Sequence, residues 1–283
     1  TGYTTFVNPR LRPSAYQPSL RVLSLDIETS WTEEVLYSIA LYGVNETVTR
    51  RVFMVGEPGM DVADHVEFFA DEAALIRHFL GCIVTIDPDV IIGWSVVAFD
   101  LQFLQRRCTE LAIPFSLGRA NEPVRWRTGA RGQTRSHALV PGRVVLDGIE
   151  LLRTATYSFE SFSLEYVSRQ LLGRGKLIED VDARAVHIQD MFREDKARLA
   201  ECNLEDCVLV WEIFERTQLI SFAIERSRLT GLDMDRPGGS VAAFDFLYLP
   251  RLHRKGYVAP VVNEASATPS PGGYVLESRP GLY

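Results

Sequence analysis

The chain has 283 residues, is 46% hydrophobic and 24% charged, and carries 20 Gly and 14 Pro. These proportions exclude a disordered chain, a collagen and a disulfide scaffold. At this length about 70–75% of the unfolded surface can be buried, enough for one large domain with appendages. The net charge of −7 argues against indiscriminate nucleic-acid binding through bulk charge but leaves room for a local basic patch. Cys82, Cys108, Cys202 and Cys207 form no C-x-x-C pair, which disfavours a zinc ribbon or a thioredoxin motif. Four free thiols, with a polar, Pro-rich N-terminus unlike a signal peptide, point to a reducing interior. No apolar run approaches the roughly 18 residues of a membrane span.

Residues 1–20 read as an extended arm. RVLSLDIETS (21–30) is a mostly apolar strand and is expected at the centre of a sheet. VLYSIALYG (35–43) and VTRRVFMVG (48–56) follow as strands of an antiparallel meander, because the connection near Gly43–Asn45 is short. Asp71 to about Thr85 is a helix with Leu75, Ile76, Phe79 and Leu80 on one face. A strand at 89–94, a helix from Asp100 to about Leu111, a hairpin-like stretch from Pro123 to Pro141 and a short strand at 144–147 come next. Helices are predicted at 163–172, 194–217, 218–229 and 240–254, with Gly173 as a helix stop. EASATPSPGG (264–273) has linker composition, and a strand-like piece, YVLESRPGLY, ends the chain. The pattern is an α/β domain: a mixed sheet with a three-strand antiparallel meander plus parallel strands, flanked by helices, with a helical C-terminal extension. The expected units are an arm at 1–20, the main domain at 21–217, a helical extension at 218–263, and a linker with a strand at 264–283.

Three places carry carboxylates with chemical meaning. Asp26 and Glu28 alternate on one strand and therefore share a face. Two like charges on an apolar strand are costly without a cation, unless they sit at a solvated strand end. Asp100 stands where a buried strand turns into a helix, as a ligand or as an N-cap. Asp206 lies inside a long helix among Leu204, Cys207, Val208 and Val210, as a buried ligand or on an exposed face. Four carboxylates from these elements can converge, and oxygen-rich sites suit Mg²⁺ or Mn²⁺. Two such ions promote phosphodiester cleavage. No His cluster accompanies them, which disfavours a catalytic zinc. The arginines at 119, 125, 127, 131, 135 and 143 cluster with only Glu122 between them, as phosphate contacts or as a solvated hairpin. Phe99 and Phe103 stack on a terminal base or pack in the core. Asp147, at a strand end, is read as a helix cap.

Asp-x-Glu at 26–28, F-D after a G-W turn at 93–100, and N-L-E-D-C at 203–207 resemble the three motifs of DEDD-type 3′→5′ exonucleases. The stretches SLDIET, DPDVIIGWSVVAFDL, SFSLEYVSRQLLGRGK, NLEDC, GGSVAAFDFLYLPRLHRKGYVAP and SPGGYVLESRPGLY are similar to the bacterial polymerase II branch of the family-B DNA polymerases, across roughly residues 8–283. The resemblance implies an RNase H-like fold and proofreading of a primer terminus in replication and repair. Two Mg²⁺ or Mn²⁺ would hydrolyse the 3′-terminal phosphodiester and release nucleoside 5′-monophosphates. It implies metal ligation by Asp26, Glu28, Asp100 and Asp206, with Asp26 bridging both ions, Glu28 and Asp206 completing one site and Asp100 holding the other. It implies DNA contacts by Ser95, Phe99, Phe103, Arg127, Arg131 and Arg135.

The implied partners are a single-stranded or frayed primer 3′ end and the polymerase domain of a parent chain, with no membrane partner. The protein is expected to be a monomer in the bacterial cytoplasm at the nucleoid. No polymerase motif follows, so the chain reads as an excised exonuclease domain. Two departures stand out. Cys202 occupies the position of the family's tyrosine, and Glu201 that of the histidine of the other subclass. Ser95 stands where the second motif usually has Asn, keeping one donor and one acceptor. The alternatives are a catalytically weakened DNA-binding or structural domain, or an exoribonuclease of the same fold.

Overall fold

A computed structural model describes residues 4, 6–10, 12, 14–30, 34–58, 62–128, 136–177, 184–236 and 240–259, without the side chains of 127, 128, 136, 184–186 and 240. The expected linker and final strand at 264–283 lie outside the described residues, as do Arg131 and Arg135.

The meander is β1 (Val22–Thr29), β2 (Leu36–Val44) and β3 (Val48–Val55). It is followed by β4 (Val66–Phe69), α1 (Glu72–Ile86), β5 (Val90–Gly93) and α2 (Asp100–Glu110). The hairpin is β6 (Arg125–Thr128) with β7 (Ser136–Leu139), and β8 (Val144–Asp147) leads into α3 (Gly148–Thr154). Then come α4 (Leu164–Leu172), α5 (Arg184–Glu194), α6 (Lys196–Thr217), α7 (Leu219–Thr230) and α8 (Ser240–Arg254).

Six strands form one mixed sheet in the order β4-β3-β2-β1-β5-β8, and β6 and β7 pair separately. β1 is central as expected, antiparallel to β2 and parallel to β5. Parallel β4 on the outer edge of β3 was not expected; VEFF is too short for its alternation to register. α3 and α5 were also unexpected. α3 spans only seven residues, less than the window over which helical periodicity can be read.

Alternation along β1 sends Leu23, Leu25 and Ile27 into a core with α1 and α2. The opposite face meets α6, whose Leu199, Ala200, Leu204 and Cys207 pack on Tyr37, Ala40, Val52 and Met54. A further core joins Val90, Ile92 and Leu146 to α3, α4, α6 and α7. Helix ends follow local chemistry. Asp71, Ser163 and Asp195 cap α1, α4 and α6 by accepting from Ala74, Tyr166 and Arg198 N–H, and Gly173 stops α4 in the left-handed conformation (φ 73°).

Between β1 and β2 the register slips. Glu28 pairs with Ser38 but Thr29 with Leu36, leaving Tyr37 as the extra residue of a bulge. Its ring stacks on Phe192 at 3.8 Å. Such bulges bend the strand and re-aim adjacent side chains, and this one falls beside Glu28.

Candidate active site

The carboxyl ends of β1 and β5 open into a cleft of about 670 Å³ whose lining includes Asp26, Glu28, Trp94, Phe99, Asp100, Phe103, Arg106, Phe162, Glu165 and Lys176. Open α/β sheets bind ligands at this end of their strands. Asp26 and Glu28 reach the α6 side of β1, and α6 brings Asp206 to meet them. One carboxylate oxygen from each lies within 4.8 Å of the other two. Glu28 and Asp206 are buried, so neither a solvated strand end nor an exposed helix face describes them.

Asp100 lines the same cleft but stands outside that trio. It is the first residue of α2, and its Oδ1 accepts the N–H of Ile27 at 3.1 Å, tying the helix start to β1. Phe99, not Asp100, is the N-cap of α2, so capping does not account for this carboxylate. The turn before it is forced by packing: a Cβ on Gly93 would sit 2.6 Å from Val96 Cβ and 2.8 Å from the Leu25 carbonyl. Ser95 holds φ 62°, a left-handed conformation in which Asn is enriched. An Asn, which the resemblance implies at this position, would suit the same backbone. Ser95 is not among the cleft-lining residues.

The cluster is electrostatically loaded. Burial, then the charges of Asp206, Asp100 and Glu28, push Asp26 well above the usual carboxylate range, with Lys176 opposing. Burial likewise raises Asp100; N–H donors including Ile27 oppose this, and Asp147 and Glu28 add to it. Concentrated negative charge with oxygen-only donors is what a hard divalent cation neutralises, so these residues fit such an ion.

Lys176, which sequence reasoning passed over, partly offsets that charge. Its Nζ contacts Asp206 Oδ2, with the lysine side chain 10% exposed. The loop after α4 holds it there, since Lys176 N–H donates to Glu165 Oε2 at 2.6 Å. Gly175 passes so close to that carboxylate that a Cβ would come within 2.4 Å of it. Asn203 was also missed; its Nδ2 donates to Asp26 Oδ2 at 2.7 Å.

Cys202 shares the α6 face of Asp206. It borders a small cavity with Glu28, Lys176, Ile188, Met191 and Asp206, and burial first of all pushes its thiol up to about 11. Phe99 is 48% exposed at the cleft, whereas Phe103, at 3%, belongs to the core and shows the cleft only its edge. Asp147 caps α3 through Ile149 and Glu150 N–H, as expected of a cap.

Of the arginine cluster, Arg119, Arg125 and Arg143 each pair with a carboxylate. Arg143 is buried and contacts Asp87, the Pro88 carbonyl and the Leu117 carbonyl. Arg119 joins Asp87 to Asp89, and Arg125 pairs with Glu122. Asp87 and Asp89 precede β5, at the end of the sheet opposite the carboxylates. Arg119 and Arg143 are thus held by internal partners at this end of the sheet. Arg127 lies on β6 with its side chain outside the description.

A family model described as "DNA polymerase family B, exonuclease domain" matches residues 5–167. The chain belongs to this family. The exonuclease domain is 44% identical over 283 residues to DNA polymerase II of Escherichia coli (strain K12), covering 99% of this chain and 36% of that protein. It is 28% identical to the DNA polymerase delta catalytic subunit of Glycine max over 291 residues and 28% to that of Bos taurus over 290, in each case covering 93% of this chain and 26% of the relative. The chain therefore spans about a third or less of these relatives. Among its described residues, no helix is long and apolar enough to cross a membrane.

Proposed function

We propose that this exonuclease domain removes nucleotides from DNA in the 3′→5′ direction, releasing nucleoside 5′-monophosphates, as the proofreading part of a longer bacterial polymerase chain. The observation that carries the reading is the convergence of Asp26, Glu28 and Asp206 within 4.8 Å, with Asp26 and Glu28 lining a cleft roomy enough for a nucleotide. These three, with Asp100, would hold Mg²⁺ or Mn²⁺. When bound, such ions supply Lewis-acid activation of water and neutralise charge on the phosphodiester.

The chain's own groups do the rest. Phe99 offers an exposed aromatic face for the terminal base. Arg106, whose guanidinium stands 5.5 Å from the Phe103 ring centroid at the cleft, meets a phosphate of the entering strand. Lys176 moderates the repulsion around Asp206. Cys202 stays a neutral thiol at neutral pH, so it takes no proton from water and orients it only weakly. A slow enzyme is expected. We place the catalytic unit at 21–217 and the connection toward the rest of the parent chain at 218–283.

The test is incubation of 5′-labelled single-stranded DNA with the protein and Mg²⁺. Stepwise shortening from the 3′ end is expected, and Asp26→Ala should abolish it in a folded protein. Shortening from the 5′ end, or unchanged turnover in Asp26→Ala, would overturn the reading. RNA digested as fast as DNA would reassign the substrate.

A further inference from the structure

Asn203 opens the N-L-E-D-C stretch and Ser38 lies outside every motif; neither is a carboxylate, yet both are completely buried and join the carboxylate cluster through two hydrogen bonds in series. Asn203 Nδ2 donates to Asp26 Oδ2 at 2.7 Å, and Ser38 Oγ donates to Asn203 Oδ1 at 2.8 Å. Ser38 is the cross-strand partner of Glu28, so its hydroxyl lies on the carboxylate face of the sheet. Asn203 comes down from α6, three residues before Asp206. The link therefore joins β2, α6 and β1, the last two of which carry the trio.

We propose that Asn203, held in orientation by Ser38, is the positioning residue that fixes the Asp26 carboxylate for divalent-cation binding. The chemistry explains why an amide stands here. A cationic donor would cancel the charge the cation needs, and a hydroxyl is too short to span from α6 to β1. A neutral amide fixes one oxygen of Asp26 and leaves the carboxylate its charge. An amide can flip, and flipped it would aim Oδ1 at Asp26. The Ser38 hydroxyl, donating to Oδ1, selects the useful orientation. Groups that orient metal ligands in this way typically matter by about 10–100-fold in metal affinity.

This rests on the reading of Asp26 as a metal ligand, and the experiment separates the two. Mn²⁺ binding to the full chain is followed by loss of the free-ion electron paramagnetic resonance signal. Wild type, Asp26→Asn, Asn203→Leu, Ser38→Ala, Ser38→Thr and the double variant Asn203→Leu/Ser38→Ala are compared, each checked for folding by near-UV circular dichroism. Asp26→Asn should remove a binding event. Asn203→Leu should weaken it roughly ten-fold or more, Ser38→Ala should weaken it less, and Ser38→Thr should restore it. In the Asn203→Leu background, Ser38→Ala should add nothing, because Ser38 acts only through the amide. Wild-type Mn²⁺ affinity in both Asn203→Leu and Ser38→Ala, with binding lost in Asp26→Asn, would overturn the proposal and leave the reading of Asp26 standing. Equal and additive losses would make both residues merely structural and overturn it as well. Unchanged binding in Asp26→Asn would overturn both. If Asn203→Leu does not fold, Ser38→Ala against Ser38→Thr decides alone.

Discussion

Lys176 and Asp206, 30 residues apart in the chain, form an ion pair beside a small cavity that Glu28 also borders. The ammonium opposes the burial and the neighbouring carboxylates that raise Asp26, so this lysine moderates the acids around it. Its removal should strand a buried charge, at a cost of about 3 kcal/mol. Urea denaturation of Lys176→Met in EDTA should show that loss, and millimolar Mg²⁺ should recover most of it, because the ion replaces the missing charge. Wild-type stability in EDTA would show that Lys176 does not offset the cluster.

Cys202→Tyr should raise the Mg²⁺-dependent exonuclease rate by roughly ten-fold or more, because a hydroxyl that only orients water contributes less than the ~10²–10⁴-fold of a positioned acid–base group. The structure adds a cost. Cys202 is 8% exposed and borders Ile188 and Met191 of α5 around a cavity of only about 10 Å³. A phenol there must displace α5, so stability should fall by about 1–3 kcal/mol. Single-turnover digestion and thermal unfolding of the same preparation measure both. A folded tyrosine variant that binds DNA and is no faster would mean that another group orients the water.

Arg119 should matter for acid stability and not for DNA. Burial alone would raise Asp87 and Asp89, but hydrogen bonds and charge from Arg119, with Arg143 at Asp87 and Arg21 at Asp89, bring both below their usual value. Depressed folded values give stability that is fully present above the unfolded value near ~3.9 and is lost as pH falls through the folded values. Arg119→Gln should therefore begin acid unfolding at a higher pH while leaving single-stranded DNA affinity unchanged. Wild-type acid behaviour combined with weaker DNA binding would return this arginine to the DNA surface.

Arg106→Gln should do the reverse. One lost phosphate contact on single-stranded DNA should reduce the slope of log affinity against log salt by about 0.7, with acid unfolding unaltered. Fluorescence anisotropy at several salt concentrations reads the slope, and an identical slope would remove Arg106 from the strand's path.

The meander, the centrality of β1 and most of the helices were legible in the chain itself; β4, α3 and α5 were not. Alternation and helical period are local: Asp26 and Glu28 share a face because a strand repeats every two residues, and Cys202 and Asp206 share one because a helix turns in nearly four. Conformation within a few residues is also why Asp71, Ser163 and Gly173 announce helix ends. What the chain concealed is pairing across distance. Arg119 and Arg143 look like part of a basic hairpin until folding delivers Asp87 and Asp89 to them. Lys176 sits in an unmarked glycine-flanked loop until α4 and α6 bring it to Asp206. Asn203 and Ser38, 165 positions apart, carry no charge, and nothing in N-L-E-D-C links its asparagine to Ser38. A hydrogen bond between two neutral side chains leaves no period in a sequence; only the packing of α6 across β1 and β2 makes those two residues neighbours of Asp26.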